Sequence, residues 1–446
     1  MKERKALLIH AVDKSLIISE QPPFPFPVLG ITTLAALFPE NWEIEVIDED
    51  VDLVDLNSEP DLIGISSLTL NIPHAYDIAD HFRKKGIPVI MGGLHVSSLP
   101  HEALYHCDSV VIGEVEPVFD EILKDFENKK LKKIYKAKNF FDLKNVPIAR
   151  RDLLKPIHHK HLTSVQATRG CPNNCEFCSV TPFFGHRYRF RPVEAVIKEI
   201  EMLLDMGMSR TIFFVDDNIA ENEHYAEKLF KALIPLKIRW GSFASVRLAK
   251  NFKLLDLAVK SGCLELFIGF ESLEQSNLEI ASKNFVKVKE FPEIIDRFRS
   301  NGIMVQSAFI FGHDNDTKDI FKKTVDFVQR TGIDTPTFGI LTPYPGTALR
   351  DRLIKEGRLI DTKGEWHKYD GSYALFQPKN MSVEELQQGY FWAKKYCCAP
   401  RSIIFRLLRR PNKNFFLAML VNFSMRANKM KQIKQRWKKR PLVAPS

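Results

Sequence analysis

Short apolar runs alternate with helical patterns along the first 130 residues of the chain. In HAYDIADHFRKKG, the residues Ala75, Ile78, Ala79 and Phe82 recur at helical spacing, which predicts an amphipathic helix. Strands that alternate with helices favour a parallel sheet covered on both faces, so we expect a doubly wound α/β domain here. The predicted buried strands are ALLIH at Ala6, EIEVID at Glu43, LIGIS at Leu62, PVIMGG at Pro88 and SVVIGE at Ser109.

The ends of two predicted strands carry glycines and polar residues. Gly92, Gly93 and His95 follow one strand, and Glu114 follows the next. Ligands of a Rossmann-like sheet bind beyond the carboxyl ends of its strands, so these four residues are candidates for ligand contact. For His95 alone, the alternative is a loop histidine held by hydrogen bonds within the protein.

A charged segment, ENKKLKKIYKAKNF from Glu127, separates this pattern from a second alternation of strands and helices and is interpreted as a linker. Six strand–helix units in a row predict a parallel βα barrel or partial barrel. The predicted strands are SVQAT at Ser164, TIFFVDD at Thr211, WGSFASV at Trp240, LELFIGF at Leu264, IMVQSAFIFG at Ile303 and TPTFGILTP at Thr335.

After about residue 361 the pattern becomes helical. MSVEELQQGYFWAKKY begins with Ser382 as a predicted N-cap and Glu385 three residues later, the arrangement of a capping box. We therefore expect five parts in the chain. They are an α/β domain over residues 1–135, a linker over 136–160, the barrel over 161–360, a helical extension over 361–400 and a basic tail over 401–446.

Cysteine usage indicates the compartment in which the protein works. The chain has seven cysteines, an odd number with three of them clustered, which argues against a disulfide framework and favours a reducing environment. The N-terminus MKERKALLIHAVDKS is not typical of a signal peptide, and we find no run of 18 apolar residues. We expect a cytoplasmic protein.

Three cysteines lie in RGCPNNCEFCSV, from Arg169 to Val180, after the first predicted barrel strand. Barrel enzymes place their chemistry at this end of their strands. A structural zinc site needs four ligands, whereas a cubane iron–sulfur cluster held by three thiolates keeps one iron open to a substrate or cofactor. A zinc site and a chance group of structural cysteines are the alternatives.

The cysteine segment resembles that of the radical S-adenosylmethionine (SAM) enzymes. CPNNCEFC has the CxxxCxxC spacing of this family, with an aromatic residue, Phe177, before the last cysteine. The resemblance implies that Cys171, Cys175 and Cys178 hold a 4Fe–4S cluster whose open iron chelates SAM, with Phe177 beside the cofactor. It also implies an external one-electron reductant, because reductive cleavage of SAM yields the 5′-deoxyadenosyl radical.

Further residues of the barrel resemble SAM contacts of the same family. The segment GFES from Gly269 resembles the end of the fourth strand of the family, which lies against SAM. For each candidate, the alternative is a polar group at a strand end that is hydrogen-bonded within the protein. The candidates are Glu271 and Ser272 on that strand, Ser242, Ser245 and Arg247 near the third strand, and Asp216 and Asp217 after the second.

The N-terminal domain resembles the cobalamin-binding domain that is fused to many radical SAM enzymes. The resemblance is clearest in the Gly-Gly-x-His and Gly-Glu-x-Glu segments, and it implies that cobalamin binds near Gly92, Gly93, His95 and Glu114. The Asp-x-His-x-x-Gly motif, whose histidine ligates cobalt in some cobalamin proteins, is absent. Here the first strand runs into HAVDKS, and many members of this subgroup also lack the motif.

Together these resemblances imply a C-methyltransferase that uses a 4Fe–4S cluster, SAM and cobalamin. In such an enzyme the deoxyadenosyl radical activates a carbon atom and methylcobalamin delivers the methyl group. Radical cyclases and oxidoreductases share the architecture and are the alternative among enzymes. A zinc-stabilised binding protein is the alternative from another class.

The C-terminal tail is strongly basic. From Arg401 onward it has thirteen Lys and Arg and no Asp or Glu, although the whole chain carries only +9. Apolar residues such as Phe416 and Leu420 among these cations are typical of a helix at a membrane surface, here the inner face, and favour a small hydrophobic substrate such as a lipid or a tetrapyrrole. A plain charged terminal helix fits the same residues at least as well. Nucleic acid is disfavoured, because the tRNA-modifying relatives of such barrels carry an extra N-terminal cluster, and this domain has only Cys107.

Overall fold

Two six-stranded parallel sheets form the framework of the protein, and the computed structural model describes residues 4–16, 28–283, 287–361 and 363–436. The strands of the first sheet are β1 (Arg4–His10), β2 (Trp42–Asp48), β3 (Leu62–Ser66), β4 (Val89–Gly92), β5 (Ser109–Ile112) and β6 (Ile134–Lys136). Their order is β2-β1-β3-β4-β5-β6, and each neighbouring pair is parallel. The five predicted strands are confirmed.

The central strands of the first sheet are covered on both faces, which explains why they are nearly continuous apolar runs. Leu7 packs in the cluster that contains α2, while Leu8 packs on the opposite face against α1. The strand order reverses direction between β1 and β3, and this places a crevice at the carboxyl edge of the sheet. The helices of this domain are α1 (Gly30–Ala35), α2 (Ile72–Lys84), α3 (Leu94–Ser98), α4 (Pro100–Ala103) and α5 (Phe119–Glu127).

The sixth strand lies in the charged segment that the sequence predicted to be a linker. β6 pairs with β5, and Tyr135 at its centre is buried. The Tyr135 hydroxyl donates to Asp125 Oδ2 over 2.9 Å. The interpretation of the segment from Glu127 as linker is therefore wrong for Ile134–Lys136, which form this edge strand.

The second sheet is an open partial barrel, as predicted. Its order is β14-β13-β12-β11-β10-β7, all parallel, while β8 and β9 form a separate antiparallel pair. The six predicted strands are all present. The bounds are β7 (Thr163–Val165), β8 (Thr168–Arg169), β9 (Arg189–Phe190), β10 (Thr211–Phe214), β11 (Arg239–Ala244), β12 (Cys263–Glu271), β13 (Met304–Phe311) and β14 (Thr335–Ile340).

Aromatic rings fill much of the space between this sheet and its helices. Phe270 stacks on Phe309 with 5.8 Å between the ring centres, and Phe311 stacks on Phe338 at 5.7 Å. Each buried ring contributes about 2–3 kcal/mol, which makes the strands a rigid support for the loops at their ends. The helices are α6 (Val180–Phe184), α7 (Val193–Asp205), α8 (Glu223–Leu233), α9 (Phe252–Lys260), α10 (Gln275–Ile280), α11 (Phe291–Ser300), α12 (Asp319–Thr331) and α13 (Ala348–Lys355).

Three helices follow the barrel: α14 (Val383–Cys398), α15 (Pro400–Arg409) and α16 (Phe415–Arg436). Ser382 and Glu385 form the predicted capping box at the start of α14. The basic tail packs on the barrel through one of its faces, since Ala418, Met425 and Ile433 are all buried. Within the part of the chain that the structure describes, no helix is both long and apolar enough to cross a membrane.

The segment after the barrel returns to the first domain. Trp366, Tyr369 and Leu375 belong to the same buried cluster as the strands of the first sheet. The Trp366 indole also donates a hydrogen bond to Glu102 Oε1 over 2.9 Å. The two domains are therefore held together by a shared apolar core.

Candidate functional site

The cysteine loop connects β8 to α6. Gly170, its first residue, has φ +86°, and a Cβ there would lie 2.2 Å from the Arg187 carbonyl oxygen, so the close approach requires glycine. Within the loop, the Cys178 N–H donates to the Cys175 carbonyl over 3.0 Å. The Asn173 amide donates to Cys171 Sγ over 3.3 Å. These contacts order the loop and hold its three thiols partly buried.

The number of thiols in the loop distinguishes between metals. The loop carries three cysteines, Cys171, Cys175 and Cys178, and all three are partly buried. A structural zinc site needs four ligands, whereas a cubane ligated by three thiolates keeps one iron open.

Burial keeps the cysteines protonated until a metal binds. Desolvation raises the pKa of Cys175 to about 12 and that of Cys178 to about 11, and it also raises the pKa of Cys171. A thiolate is the form that ligates iron. Assembly of a cluster on this loop therefore releases protons and depends on pH.

A buried ion pair lies beside the loop at the end of β12. Lys283 Nζ is 2.6 Å from Glu271 Oε1 and 2.8 Å from the Gly269 carbonyl oxygen. Burial lowers the pKa of Lys283, but Glu271 and then Cys175 raise it by more, so the net pKa is raised and the ammonium group is retained. Glu271 has φ +64°, a conformation that is rare for this residue type and marks a strained position.

The remaining predicted SAM contacts have partners within the protein. Ser242 donates to the Phe214 carbonyl, and Ser245 accepts from the Arg247 N–H. Arg247 itself pairs with Glu221. Contact between these side chains and SAM stays a prediction.

The other rim residues are also hydrogen-bonded. Ser272 Oγ accepts from Asn277 Nδ2 over 3.1 Å. Asp216 accepts from Thr168 and from the Ala167 N–H, and burial raises its pKa to about 7. Asp217 accepts from the Gly170 N–H over 2.9 Å, which ties the cysteine loop to β10. Phe177 is partly buried and packs on the barrel core.

A largely apolar cavity lies between the two domains at the carboxyl edge of the first sheet. It has about 1210 Å³ of free space, including the part open to solvent. Gly113 has φ +80°, and a Cβ there would meet no atom within 4 Å, so the backbone leaves room for a large ligand. The lining includes the predicted Gly92, Gly93 and Glu114, together with Leu8, Gly64, Gln166, Arg169, Phe183 and Phe184.

His95 occupies a different place from these three predicted residues. It is buried, with Nε2 3.2 Å from Glu102 Oε1 and its ring 4.8 Å from that of Trp366. It does not line the cavity. The side chain supports the contact between the first domain and the segment that follows the barrel.

A buried ionic network joins the cavity to the cysteine loop. Arg169 lies directly before Gly170, and its Nη1 is 2.8 Å from Glu114 Oε1 and 2.7 Å from Glu116 Oε1. Arg189 also pairs with Glu114, over 2.9 Å. Burial alone would lower the pKa of Arg169, but the two glutamates raise it, so the guanidinium group keeps its charge.

Sequence reasoning missed Arg169, Arg189 and Lys283. Arg169 lies between the predicted strand and the cysteine motif, and this position could have marked it as a residue that orients the cysteine loop. Its glutamate partners lie on another domain and could not be assigned from the local pattern.

Two family models match the chain. The model of the radical SAM superfamily matches residues 165–328, and the model of the B12 binding domain matches residues 16–123. The first range contains the cysteine loop and most of the barrel. The second contains most of the first sheet. A radical SAM domain carries a 4Fe–4S cluster and SAM, and a B12-binding domain carries cobalamin.

Several methyltransferases are similar over most of the chain. Bacteriochlorophyllide d C-12(1)-methyltransferase of Chlorobaculum tepidum is 30% identical over 428 residues, which are 94% of this chain and 93% of that protein. The C-8(2)-methyltransferase of the same organism is 31% identical over 91% of this chain and 92% of that protein. Hopanoid C-2 methylase of Rhodopseudomonas palustris is 26% identical over 75% of this chain and 65% of that protein.

A solved structure agrees with the fold. The radical SAM methyltransferase TsrM from Kitasatospora setae, with cobalamin and a [4Fe-4S] cluster bound, matches with a TM-score of 0.69 and 14% identity. The match covers 96% of this chain and 99% of that chain. The three thiols fit the cluster, and the glycine-lined cavity fits a large ligand such as cobalamin. The chain belongs to the family of radical SAM methyltransferases that carry an N-terminal B12-binding domain, and it is an enzyme that uses a 4Fe–4S cluster, SAM and cobalamin.

Proposed function

We propose that the protein transfers a methyl group to an unactivated carbon of a hydrophobic small molecule, with a tetrapyrrole favoured over a polycyclic lipid. The observation that supports this most is a largely apolar cavity bordered by both cofactor domains. Two similar proteins that extend over more than nine-tenths of the chain act on bacteriochlorophyllide d, and a hopanoid C-2 methylase matches three-quarters of the chain.

Each part of the site has a defined task in this proposal. The bound cofactors supply the radical and the methyl group, and the protein supplies placement and a dry environment. Cys171, Cys175 and Cys178 hold the cluster, while Gly92, Gly93 and Glu114 line the cobalamin site. Apolar side chains such as Leu8 and Phe184 exclude water from the cavity.

The SAM site is assigned to the barrel rim near the cysteine loop. Glu271 and Ser272 end the fourth barrel strand, and the Glu271–Lys283 pair keeps a cation beside Cys175. Such a cation favours the thiolate form of the cysteine and balances the negative charge of the ligated cluster. Phe177, Ser242 and Arg247 complete the proposed SAM environment.

The reaction type is tested with SAM that carries a trideuterated methyl group. The reconstituted enzyme, a reductant and candidate tetrapyrroles are expected to give a product in which trideuteromethyl replaces hydrogen, together with 5′-deoxyadenosine. Mass spectrometry of the substrate measures the transfer. A ring-closed or oxidised product without deuterium would support a cyclase or oxidoreductase instead. A colourless zinc protein that does not cleave SAM would contradict every radical mechanism.

The tail offers a surface that fits a membrane containing anionic lipids. Six large apolar side chains of α15 and α16 are exposed, and exposed cations such as Arg409 and Lys413 lie among them. Three of the six lie on one face of α16 at helical spacing. The six are Ile404, Phe405, Leu408, Phe416, Leu420 and Phe423, and Phe416 is the most exposed at 85%. An enzyme at the membrane surface can receive a hydrophobic substrate directly.

Point substitutions test this surface better than removal of the tail, because one face of α16 belongs to the core. The double substitution Phe416→Ser and Leu420→Ser is expected to weaken sedimentation with vesicles rich in phosphatidylglycerol by about tenfold or more, since two apolar side chains leave the interface. The matched control is Leu53→Ser with Tyr105→Ser, which removes side chains that are 73% and 81% exposed on the first domain. Equal binding of both variants and the unchanged protein would contradict a membrane role for the tail.

A further inference from the structure

Two histidines and two aspartates meet at an edge of the first sheet, in a group that the proposed function does not use. His10 ends β1 and Asp48 ends β2, and the parallel register places these two residues opposite each other. Asp50 follows two residues later. His158 comes from the helical turn Pro156–His159, in the segment that connects the two domains.

The ligand atoms of His10, Asp48 and Asp50 converge, and His158 contacts one of these residues. His10 Nδ1 is 2.9 Å from Asp48 Oδ1, and His158 Nδ1 is 3.2 Å from Asp48 Oδ2. One nitrogen of His10 and one oxygen each of Asp48 and Asp50 all lie within 4.8 Å of one another. His10, Asp48 and Asp50 are therefore close enough to surround a single ion, and His158 lies beside them against the second carboxylate oxygen of Asp48.

Two buried side chains of the group, those of Asp48 and His158, have polar atoms without a hydrogen bond. The side chains of Asp48 and His158 are both 0% exposed. Asp48 Oδ2 and both ring nitrogens of His158 are buried without a hydrogen bond, although His158 Nδ1 lies 3.2 Å from Asp48 Oδ2. An unsatisfied buried polar group destabilises a protein by about 1–3 kcal/mol. These atoms therefore point to a ligand that both could bind.

The charges of the group favour a cation. Two carboxylates lie side by side, since an oxygen of Asp48 and an oxygen of Asp50 are within 4.8 Å of each other. A divalent ion would neutralise both carboxylates and accept a lone pair from each imidazole. Two nitrogen and two oxygen ligands suit tetrahedral Zn²⁺ or a related transition metal, and a site filled by four protein ligands is structural in character.

We propose that His10, Asp48, Asp50 and His158 form a structural binding site for a divalent transition metal, with zinc as the representative ion. None of the four side chains lines the interdomain cavity or belongs to the cysteine loop. The ion would fasten the connecting segment, through His158, to the sheet that lines the cavity. Its effect would be to fix the separation of the two cofactor domains, and the proposal does not depend on which substrate is methylated.

The test uses the full-length protein with its cluster reconstituted and Zn²⁺ buffered at a micromolar free concentration. We expect about one zinc ion per chain after desalting, with X-ray absorption showing only nitrogen and oxygen ligands at about 2.0–2.2 Å. Zinc captured by the cysteines would show Zn–S distances of about 2.3 Å instead. Sulfur-only ligation, or no zinc retained, would overturn the proposal.

Variants separate a metal site from a packing role. His158→Gln and Asp50→Asn are each expected to weaken zinc binding at least tenfold and to abolish the rise in melting temperature that zinc gives the unchanged protein. Asp50 is only partly buried, so its amide variant is expected to fold. The matched control is His74→Gln, which breaks another histidine–carboxylate pair of the same domain, 2.8 Å from Glu49. If His158→Gln and Asp50→Asn both bound zinc as tightly as the His74→Gln control, the proposed site would be refuted.

Discussion

Replacing Cys171, Cys175 and Cys178 together by serine is expected to lower the iron content of the reconstituted protein from about four ions per chain to near zero. Reductive cleavage of SAM should then fall to background. The reason is that serine hydroxyls do not replace thiolates as iron ligands at neutral pH. The triple substitution removes every soft sulfur donor of the cysteine loop. Iron analysis, visible absorption and chromatography of 5′-deoxyadenosine measure the result.

The chain provides matched controls for this substitution. Cys397 and Cys398 are adjacent cysteines of α14, and both are buried away from the site. Serine at either position is expected to reduce thermal stability but to leave iron content and SAM cleavage per folded molecule unchanged. Continued formation of 5′-deoxyadenosine by the triple variant would show that the cluster has other ligands.

Substitution of Arg169 by methionine is expected to destabilise the contact between the two domains by about 3–5 kcal/mol, because Glu114 and Glu116 would stay buried with less compensating charge. Arg189 would still pair with Glu114, so the effect should fall mainly on Glu116 and on the position of the cysteine loop. The thermal unfolding midpoint and the yield of methylated product per cluster measure the two consequences.

A surface ion pair serves as the control for Arg169. Arg150 pairs with Asp152 over 2.8 Å, but both side chains are 46% exposed, so Arg150→Met should change stability by less than about 1 kcal/mol. Adding Glu114→Gln and Glu116→Gln to the Arg169 variant is expected to restore part of the lost stability, since the uncompensated charges are removed. If the Arg169 and Arg150 variants behaved alike, the buried network would have no positioning role.

Most strands of both sheets could be predicted because they are largely buried and their sequences are rich in apolar residues. β6 could not, because it is an edge strand of three residues with a single buried side chain, Tyr135, among lysines. The tail was predicted as an amphipathic helix, and in the structure one of its faces is buried while another is exposed. Ala418 and Met425 face the barrel, while Phe416 and Leu420 face solvent.

The cysteine site could be predicted because its three residues are close in sequence and their spacing carries the chemistry. The ionic partners of that loop could not be predicted, since Glu114 reaches Arg169 across a domain interface. His95 illustrates the same limit. The local segment placed it at the correct edge of the sheet, but Glu102 and the distant Trp366 determine where its side chain lies.

The return of Trp366, Tyr369 and Leu375 to the first domain has a consequence for biosynthesis. The N-terminal sheet leaves the ribosome first, but its core lacks these three side chains until the whole barrel has been translated. Contacts between such distant parts of a chain form slowly, and the waiting domain exposes apolar surface to aggregation. The nascent protein is therefore expected to need a chaperone until residue 375 has emerged, and a gene truncated at the domain boundary is expected to yield insoluble protein.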